Sequence, residues 1–131
     1  MKFKDIIGNT ELKKQLINSV ENNRLSHSQL FLGKSGGPKL AIAIAFAQYI
    51  NCTNKTTLDS CGECQSCVKY SILTHPDLHL VFPILSINGI KKAVSDNFVK
   101  EWRREILNNP YLNLHNWFDV FSSENKSGKT G

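Results

Sequence analysis

The spacing of apolar residues predicts an amphipathic helix near the start of the chain. Asn9 or Thr10 can cap this helix, and Asn22 and Asn23 are expected to end it. Its apolar residues recur at i, i+4, i+5 and i+8, as one face of a helix of about three to four turns requires. These residues are Leu12, Leu16, Ile17 and Val20.

A second apolar segment, residues 39–50, alternates large side chains with alanines. Alternation alone is a strand pattern. The length of the segment, its alanines and Pro38 at its start favour instead a helix that is buried on nearly every side. Shorter apolar patterns predict two further helices, at residues 68–73 and 97–108.

Two short apolar runs predict β-strands. Leu30–Leu32 is closed by Gly33, and Leu78–Phe82 is stopped by Pro83. The resulting order is strand, loop, buried helix, excursion, helix, strand. This order is the opening of an α/β domain with a parallel sheet.

The last part of the chain carries weaker signals. Residues 86–95 are polar and predict a loop, and Trp117 and Phe118 are expected to pack into a core. Residues 122–131 are polar and contain glycine, which predicts a flexible tail after a domain of residues 1–121.

The composition is that of an ordinary soluble globular protein, with 40% hydrophobic and 21% charged residues among 131. The longest apolar run, Leu40–Ala47, is far shorter than the roughly 20 residues of a membrane span. The first residues have no signal-peptide pattern. We therefore expect a cytoplasmic protein without membrane contact. The net charge of +5 permits contact with nucleic acid but does not require it.

Four cysteines crowd into residues 52–67 and form two overlapping C-x-x-C spacings. In a cytosolic protein such a cluster indicates metal rather than disulfides. Four thiolates complete a closed tetrahedron around a structural zinc ion, so His75 and His79 are not needed as ligands. A redox pair would leave two cysteines unexplained, and an iron–sulfur cluster is the remaining alternative. The predicted zinc ligands are Cys52, Cys61, Cys64 and Cys67.

A glycine-rich loop at residues 33–38 lies where a phosphate-binding loop would lie, between a predicted strand and a predicted helix. Pro38 replaces the second glycine of the motif and has no N–H for a phosphate. Leu40 replaces the serine or threonine whose hydroxyl binds magnesium. ATP binding is therefore not expected. Two interpretations of the glycines stay open: they only turn the chain from strand to helix, or they retain residual binding of a nucleotide or anion. The candidate residues for such binding are Gly33, Gly36, Gly37 and Lys39.

Several motifs follow one another in a fixed order. They are Phe3–Asn9, His27–Gly33, the altered loop, Ala47–Cys52, Cys61–Cys67 and His75–Asp77. In this order and spacing, residues 1–82 resemble the N-terminal AAA+ domain of bacterial DNA polymerase III clamp-loader subunits. In that family both the gamma/tau and the delta-prime types carry a four-cysteine zinc module. In that family the phosphate loop is intact in the gamma/tau type and typically altered in the delta-prime type. By this resemblance, Pro38 and Leu40 favour the delta-prime type.

The resemblance implies an incomplete AAA+ P-loop type parallel sheet with helices, interrupted by a small zinc module at residues 52–67. It implies a non-catalytic, stator-like subunit that works with gamma/tau and delta subunits to load the sliding clamp onto primed DNA. The Ser-Arg-Cys motif and the acidic Walker B stretch of the family do not occur in this sequence. We therefore expect an N-terminal part of such a subunit.

Two other functions stay open. The first is an ATP-hydrolysing motor subunit of the gamma/tau type, against which Leu40 argues. The second is a zinc-dependent nucleic-acid-binding module, which predicts a basic, aromatic surface around the cysteines. The residues near the cysteines have mixed character instead: Asp59, Glu63, Lys69 and Tyr70.

Overall fold

The computed structural model describes residues 1–85 and 94–127. The chain divides into two units, Met1–Leu78 and His79–Gly131. The first unit contains a 3-10 helix at Phe3–Asp5, followed by α1 (Thr10–Glu21), α2 (Lys39–Asn51) and α3 (Gln65–Ser71). The second contains a 3-10 helix at Ser95–Phe98, then α4 (Val99–Asn108) and α5 (Leu114–Ser127). In the described ranges, no helix combines the length and the apolarity that crossing a membrane would need.

Helix α1 forms where the apolar spacing predicts it. Leu16 and Ile17 are buried, whereas Leu12 lies at the exposed margin of the apolar face. Asn9 precedes the helix in a left-handed conformation with φ of 57°, which asparagine tolerates better than most residues. Asn9 is thus the residue before the helix, as predicted, but its side chain makes no capping hydrogen bond.

Helix α2 is the centre of the first unit. Ala41 and Ala45 are fully buried, and their small size lets other elements approach the helix closely. The core around them is formed by Phe3, Ile6, Leu16, Ile17, Ile42, Phe46 and Tyr49. The alternating apolar pattern is therefore that of a helix surrounded by protein, as predicted.

Polar groups at the far end of α2 find partners in the segment that leads to the cysteines. Buried Gln48 donates to the Ser60 hydroxyl oxygen at 3.0 Å. The Tyr49 hydroxyl lies 2.8 Å from both a carboxylate oxygen of Glu21 and the carbonyl oxygen of Thr56. These bonds attach a polar, largely exposed segment to the helical core.

The two predicted strands are not formed in the described part of the chain, and the predicted parallel sheet is absent there. Leu30 and Leu32 are 82% and 83% exposed, while Phe31 between them packs on Phe46 with ring centroids 6.3 Å apart. In 78–82, Val81 is 90% exposed. Both segments keep the two-residue alternation of a strand. They have no neighbouring strand to pair with among the described residues, and a strand exists only through such pairing.

The second unit is held together by an aromatic cluster. The rings of Phe82 and Trp102 stack with centroids 4.4 Å apart, and Trp117 meets them edge-on at 5.5 and 4.9 Å. The indole N–H of Trp117 donates to the carbonyl oxygen of Pro83 at 2.8 Å. Trp117 is thus buried as predicted, with its one polar group satisfied.

The ends of the second unit differ from the sequence prediction. Most of the predicted loop at 86–95 lies outside the described residues, and its last residue begins the 3-10 helix. Residues 122–127, predicted as part of a flexible tail, continue helix α5, which runs to Ser127. Residues 128–131 lie outside the described part of the chain.

Replacing Trp117 with alanine is expected to destabilise the second unit by about 3–5 kcal/mol, because a large buried ring is lost. Urea denaturation followed by the fluorescence of Trp102 measures this, since both tryptophans lie in this unit. Leu114→Ala on the same helix is the control. Leu114 is 52% exposed, and its loss should cost less than about 0.5 kcal/mol. Equal losses of unfolding free energy in the two variants would contradict the stabilising role of the aromatic cluster.

Candidate metal centre

Helix ends and one tight turn position the four cysteines. Cys52 directly follows α2, Cys64 is the residue before α3, and Cys67 lies in the first turn of α3. Cys61 precedes a turn at Gly62, whose φ of +85° lies in the region that favours glycine. A Cβ at Gly62 would also lie 3.2 Å from the Lys2 ammonium, so glycine suits both the turn and its neighbour.

The four sulfur atoms lie close enough together to hold one metal ion. All of them are within 4.8 Å of one another. The Sγ atom of Cys61 is 3.5 Å from that of Cys52 and 3.9 Å from that of Cys67. A tetrahedral ion with metal–sulfur bonds of about 2.3 Å separates its sulfurs by about 3.8 Å. The separations of the four sulfurs therefore fit a single tetrahedral centre.

Backbone amides surround the sulfurs and donate to them. The Cys61 sulfur accepts from the amides of Glu63 at 3.4 Å and Cys64 at 3.3 Å. The Cys52 sulfur accepts from the Cys61 amide at 3.3 Å, and the Cys64 sulfur accepts from the Cys67 amide at 3.5 Å. Such donors stabilise thiolate rather than thiol. The donor set is thus arranged for sulfurs that carry negative charge.

The cysteine thiols differ in acidity, because backbone amides lower the pKa of two of them and burial raises the pKa of a third. Hydrogen bonds lower the pKa of Cys64 to about 5. The strongest effect comes from the backbone amide of Cys67, and Thr53 adds to it. Amides of Cys64 and Glu63 lower the pKa of Cys61. Burial raises the pKa of the Cys67 thiol to about 12. A bound cation would favour ionisation of all four, because metal ligation displaces the thiol proton.

The residues that brace this cluster come from the start of the chain. The Lys2 ammonium donates to the Cys61 carbonyl oxygen at 3.1 Å. The Asp59 carboxylate accepts from the amides of Phe3 at 3.1 Å and Lys4 at 2.9 Å, and it also accepts from Ser60 at 2.8 Å. No local sequence pattern predicts the bonds made by Lys2, Phe3 and Lys4, since their partners lie more than 50 positions away in the chain.

His75, a spare candidate ligand in the sequence, serves a different purpose. Its ring stacks on Tyr70 with centroids 4.6 Å apart, and its Nδ1 atom accepts from the Asp77 amide at 3.2 Å. The hydroxyl of Tyr70 in turn accepts from Asn51 at 2.9 Å. His75 is therefore part of the packing of α3 and does not belong to the group of cysteines that can hold a metal.

The glycine-rich loop precedes α2 and closes on itself. The Lys39 ammonium donates to the Gly33 carbonyl oxygen at 2.9 Å. The Gly37 amide donates to the Lys34 carbonyl oxygen at 3.1 Å, and Gly36 has φ of +74°. Pro38 is the residue before α2, and its carbonyl accepts the first bond of the helix. The loop thus contains a turn and leads into a helix, and its lysine is bound to the loop backbone.

Comparison with known proteins places the chain in a family. The family model described as DNA polymerase III, delta subunit, matches residues 8–124. This match includes residues 84–118, which the motif resemblance does not reach. No solved structure matches the chain.

Several similar curated proteins are subunits of DNA polymerase III. The chain is 43% identical to subunit delta' of Bacillus subtilis over 89 residues, covering 66% of the chain and 27% of that protein. It is 40% identical to subunit tau/gamma of Haemophilus influenzae over 65 residues, 50% of the chain and 9% of that protein. It is 30% identical to subunit gamma/tau of Mycoplasma genitalium over 110 residues, 83% of the chain and 17% of that protein.

The matches thus span at most 27% of the length of these three relatives. They include both subunit types, so similarity alone does not separate delta' from gamma/tau. The family model, in contrast, accounts for most of this chain. The chain belongs to the DNA polymerase III, delta subunit, family.

Proposed function

We propose that the chain is part of a non-catalytic, stator-like subunit of the clamp loader of bacterial DNA polymerase III. Its partners would be the gamma/tau and delta subunits and, through the assembly, the sliding clamp and primed DNA in the cytoplasm. The family match supports the assignment to the polymerase III system. The altered phosphate loop supports the non-catalytic role within it.

The observation that carries this proposal is the pair Pro38 and Leu40. Pro38 stands at the start of α2, where a phosphate loop offers a backbone N–H, and proline has none. Leu40 stands where magnesium needs a hydroxyl ligand. Lys39 retains its charge, but its ammonium is engaged by the Gly33 carbonyl. Without a magnesium ligand the loop lacks the means to support phosphoryl transfer.

We further propose that Cys52, Cys61, Cys64 and Cys67 bind zinc with a structural role. The sulfur separations fit one ion, whereas an iron–sulfur cluster would place its own atoms between the ligands and hold them further apart. A redox pair would use only two of the four clustered thiols. With four protein ligands no position is left open for substrate, which is typical of a structural zinc. Ligation would hold a segment that buries little apolar surface.

A gamma/tau-like motor subunit is the second candidate function. It is favoured by the similarity to gamma/tau subunits, 40% identity to that of Haemophilus influenzae and 30% to that of Mycoplasma genitalium. The two candidates differ in one chemical property, which is the binding and hydrolysis of magnesium-ATP. A zinc-dependent nucleic-acid-binding module has less support, since the surface beside the cysteines carries Asp59 and Glu63 as well as lysines.

Replacing Cys61 with alanine is expected to abolish zinc retention. It removes one of four ligands, namely the sulfur that accepts two backbone amides. Elemental analysis of the purified chain should find a single zinc ion in the wild type and none in the variant. Thermal unfolding of the variant and of chelator-treated wild type should shift together to lower temperature.

Glu63→Gln is the matched control for this experiment. It removes a charge beside the ligands but keeps the backbone amide that donates to Cys61. Its zinc content should equal that of the wild type. Iron in the purified wild-type chain, or metal-free protein with four reactive thiols, would contradict the zinc proposal.

The wild-type chain is expected to show no saturable binding of magnesium-ATP at millimolar nucleotide. The double variant Pro38→Gly, Leu40→Thr should gain magnesium-dependent binding, because it restores an amide donor and a hydroxyl ligand. Fluorescence anisotropy of a labelled ATP analogue, with and without magnesium, measures both.

The control is the double variant Pro38→Gly, Leu40→Val. Valine has nearly the shape of threonine without the hydroxyl, so this variant should bind no more tightly with magnesium than without it. Tight binding and hydrolysis of ATP by the wild type would replace the stator role with the motor role.

A further inference from the structure

A groove in the first unit is lined by none of the four cysteines and by no residue of the glycine-rich loop. It has a volume of about 550 Å³ and runs between the Phe3–Asp5 helix, one face of α1 and the loop at residues 57–59. Its size is in the range of ordinary ligand pockets. The zinc proposal and the clamp-loader proposal assign it no role.

The floor of the groove is apolar. Phe3 and Ile17 line it as members of the unit's hydrophobic core, so little of either side chain reaches the surface. Leu58 stands at its edge and is 79% exposed. A single exposed leucine is unremarkable on a protein surface, but beside a concave apolar floor it adds to one continuous apolar surface. The groove therefore suits an apolar side chain.

The wall that carries Leu58 is fixed before any ligand arrives. The Thr56 hydroxyl accepts from the amides of Leu58 at 3.2 Å and Asp59 at 3.1 Å. The Asp59 carboxylate accepts from the amides of Phe3 and Lys4, which also line the groove. A ligand that binds a preformed wall does not have to order it, which lowers the entropic cost of binding.

The rim of the groove is basic. Lys4, Lys13 and Lys14 line it, and Asp59 is its one acidic lining residue. Both carboxylate oxygens of Asp59 already accept backbone amides. Lys13 donates to the Ile6 carbonyl, and Lys14 forms an exposed ion pair with Glu11 at 3.2 Å. Each ammonium has three donors, and exposed pairs are weak, so all three lysines keep donors for an incoming carboxylate.

We propose that this groove docks a short segment of a partner protein in which a leucine or phenylalanine is flanked by aspartate or glutamate. The apolar side chain would occupy the floor beside Leu58, and the flanking carboxylates would meet the three lysines. Single-stranded nucleic acid fits the groove less well, because base binding needs an exposed aromatic face. The one aromatic lining residue, Phe3, is 2% exposed.

The test is a titration of the isotope-labelled 131-residue chain, observed by amide NMR. The probes are an acetylated Asp-Asp-Leu-Phe-Asp-Asp peptide and its Asn-Asn-Leu-Phe-Asn-Asn counterpart. The acidic peptide is expected to give saturable shifts at the amides of Lys4, Thr10, Thr57 and Leu58. The neutral peptide should bind at least about tenfold more weakly, because the lysine contacts are lost.

Two pairs of variants locate the binding. Leu58→Asp should lower the affinity for the acidic peptide by about tenfold or more, and Lys4→Glu should lower it by about fivefold. Their controls change equally exposed residues elsewhere in the same unit. Leu30→Asp, at a leucine that is 82% exposed, and Lys69→Glu should each leave the affinity within about twofold of the wild type.

The proposal is overturned if the acidic peptide gives no saturable shifts, or if the shifts map away from the groove. It is also overturned if Leu30→Asp weakens binding as much as Leu58→Asp. A single-stranded oligothymidine that shifts the same amides more strongly than the peptide would assign the groove to nucleic acid instead. None of these outcomes depends on the clamp-loader assignment, which the nucleotide experiment tests separately.

Discussion

Convergence of four sulfurs is the constraint on which the arrangement of the first unit depends. The segment between α2 and α3 is polar and mostly exposed, so it buries too little apolar surface to hold its own conformation. Two groups of contacts fix it instead. The proposed zinc ion would join its two ends through the four cysteines, and Asp59 and Ser60 bind the start of the chain and α2. The groove wall at Leu58 is a consequence of the same attachment.

Local pattern was enough to predict much of this structure. Helices α1 and α2 follow from the spacing of apolar residues and from the alanine content, both of which act within a few turns. The cysteine cluster follows from short spacings within residues 52–67, because a C-x-x-C turn brings two thiols to one side by itself. Gly62 with its positive φ belongs to that same local chemistry.

The failures all concern contacts between distant parts of the chain. Leu30–Leu32 and 78–82 have the composition of strands, yet strand formation needs a partner strand, which local sequence does not specify. From the sequence, Asp59 is only one of the residues of mixed character near the cysteines, but its carboxylate accepts two amides more than 50 positions away. Residues 122–127 are polar, yet they extend α5, a helix anchored through buried Trp117.

In the glycine-rich loop, the residues that form the turn differ from the residues that decide what the loop can bind. Gly36 has a positive φ, and a Cβ at Gly37 would lie 3.0 Å from the Lys34 carbonyl oxygen, so the turn itself favours both glycines whether or not a phosphate binds. Glycines in such a loop are therefore weak evidence for nucleotide binding. The informative positions are 38 and 40, since a missing N–H and a missing hydroxyl alter what the loop can coordinate without altering its turn. The proposed non-catalytic role therefore depends on Pro38 and Leu40 and not on the glycines of the loop.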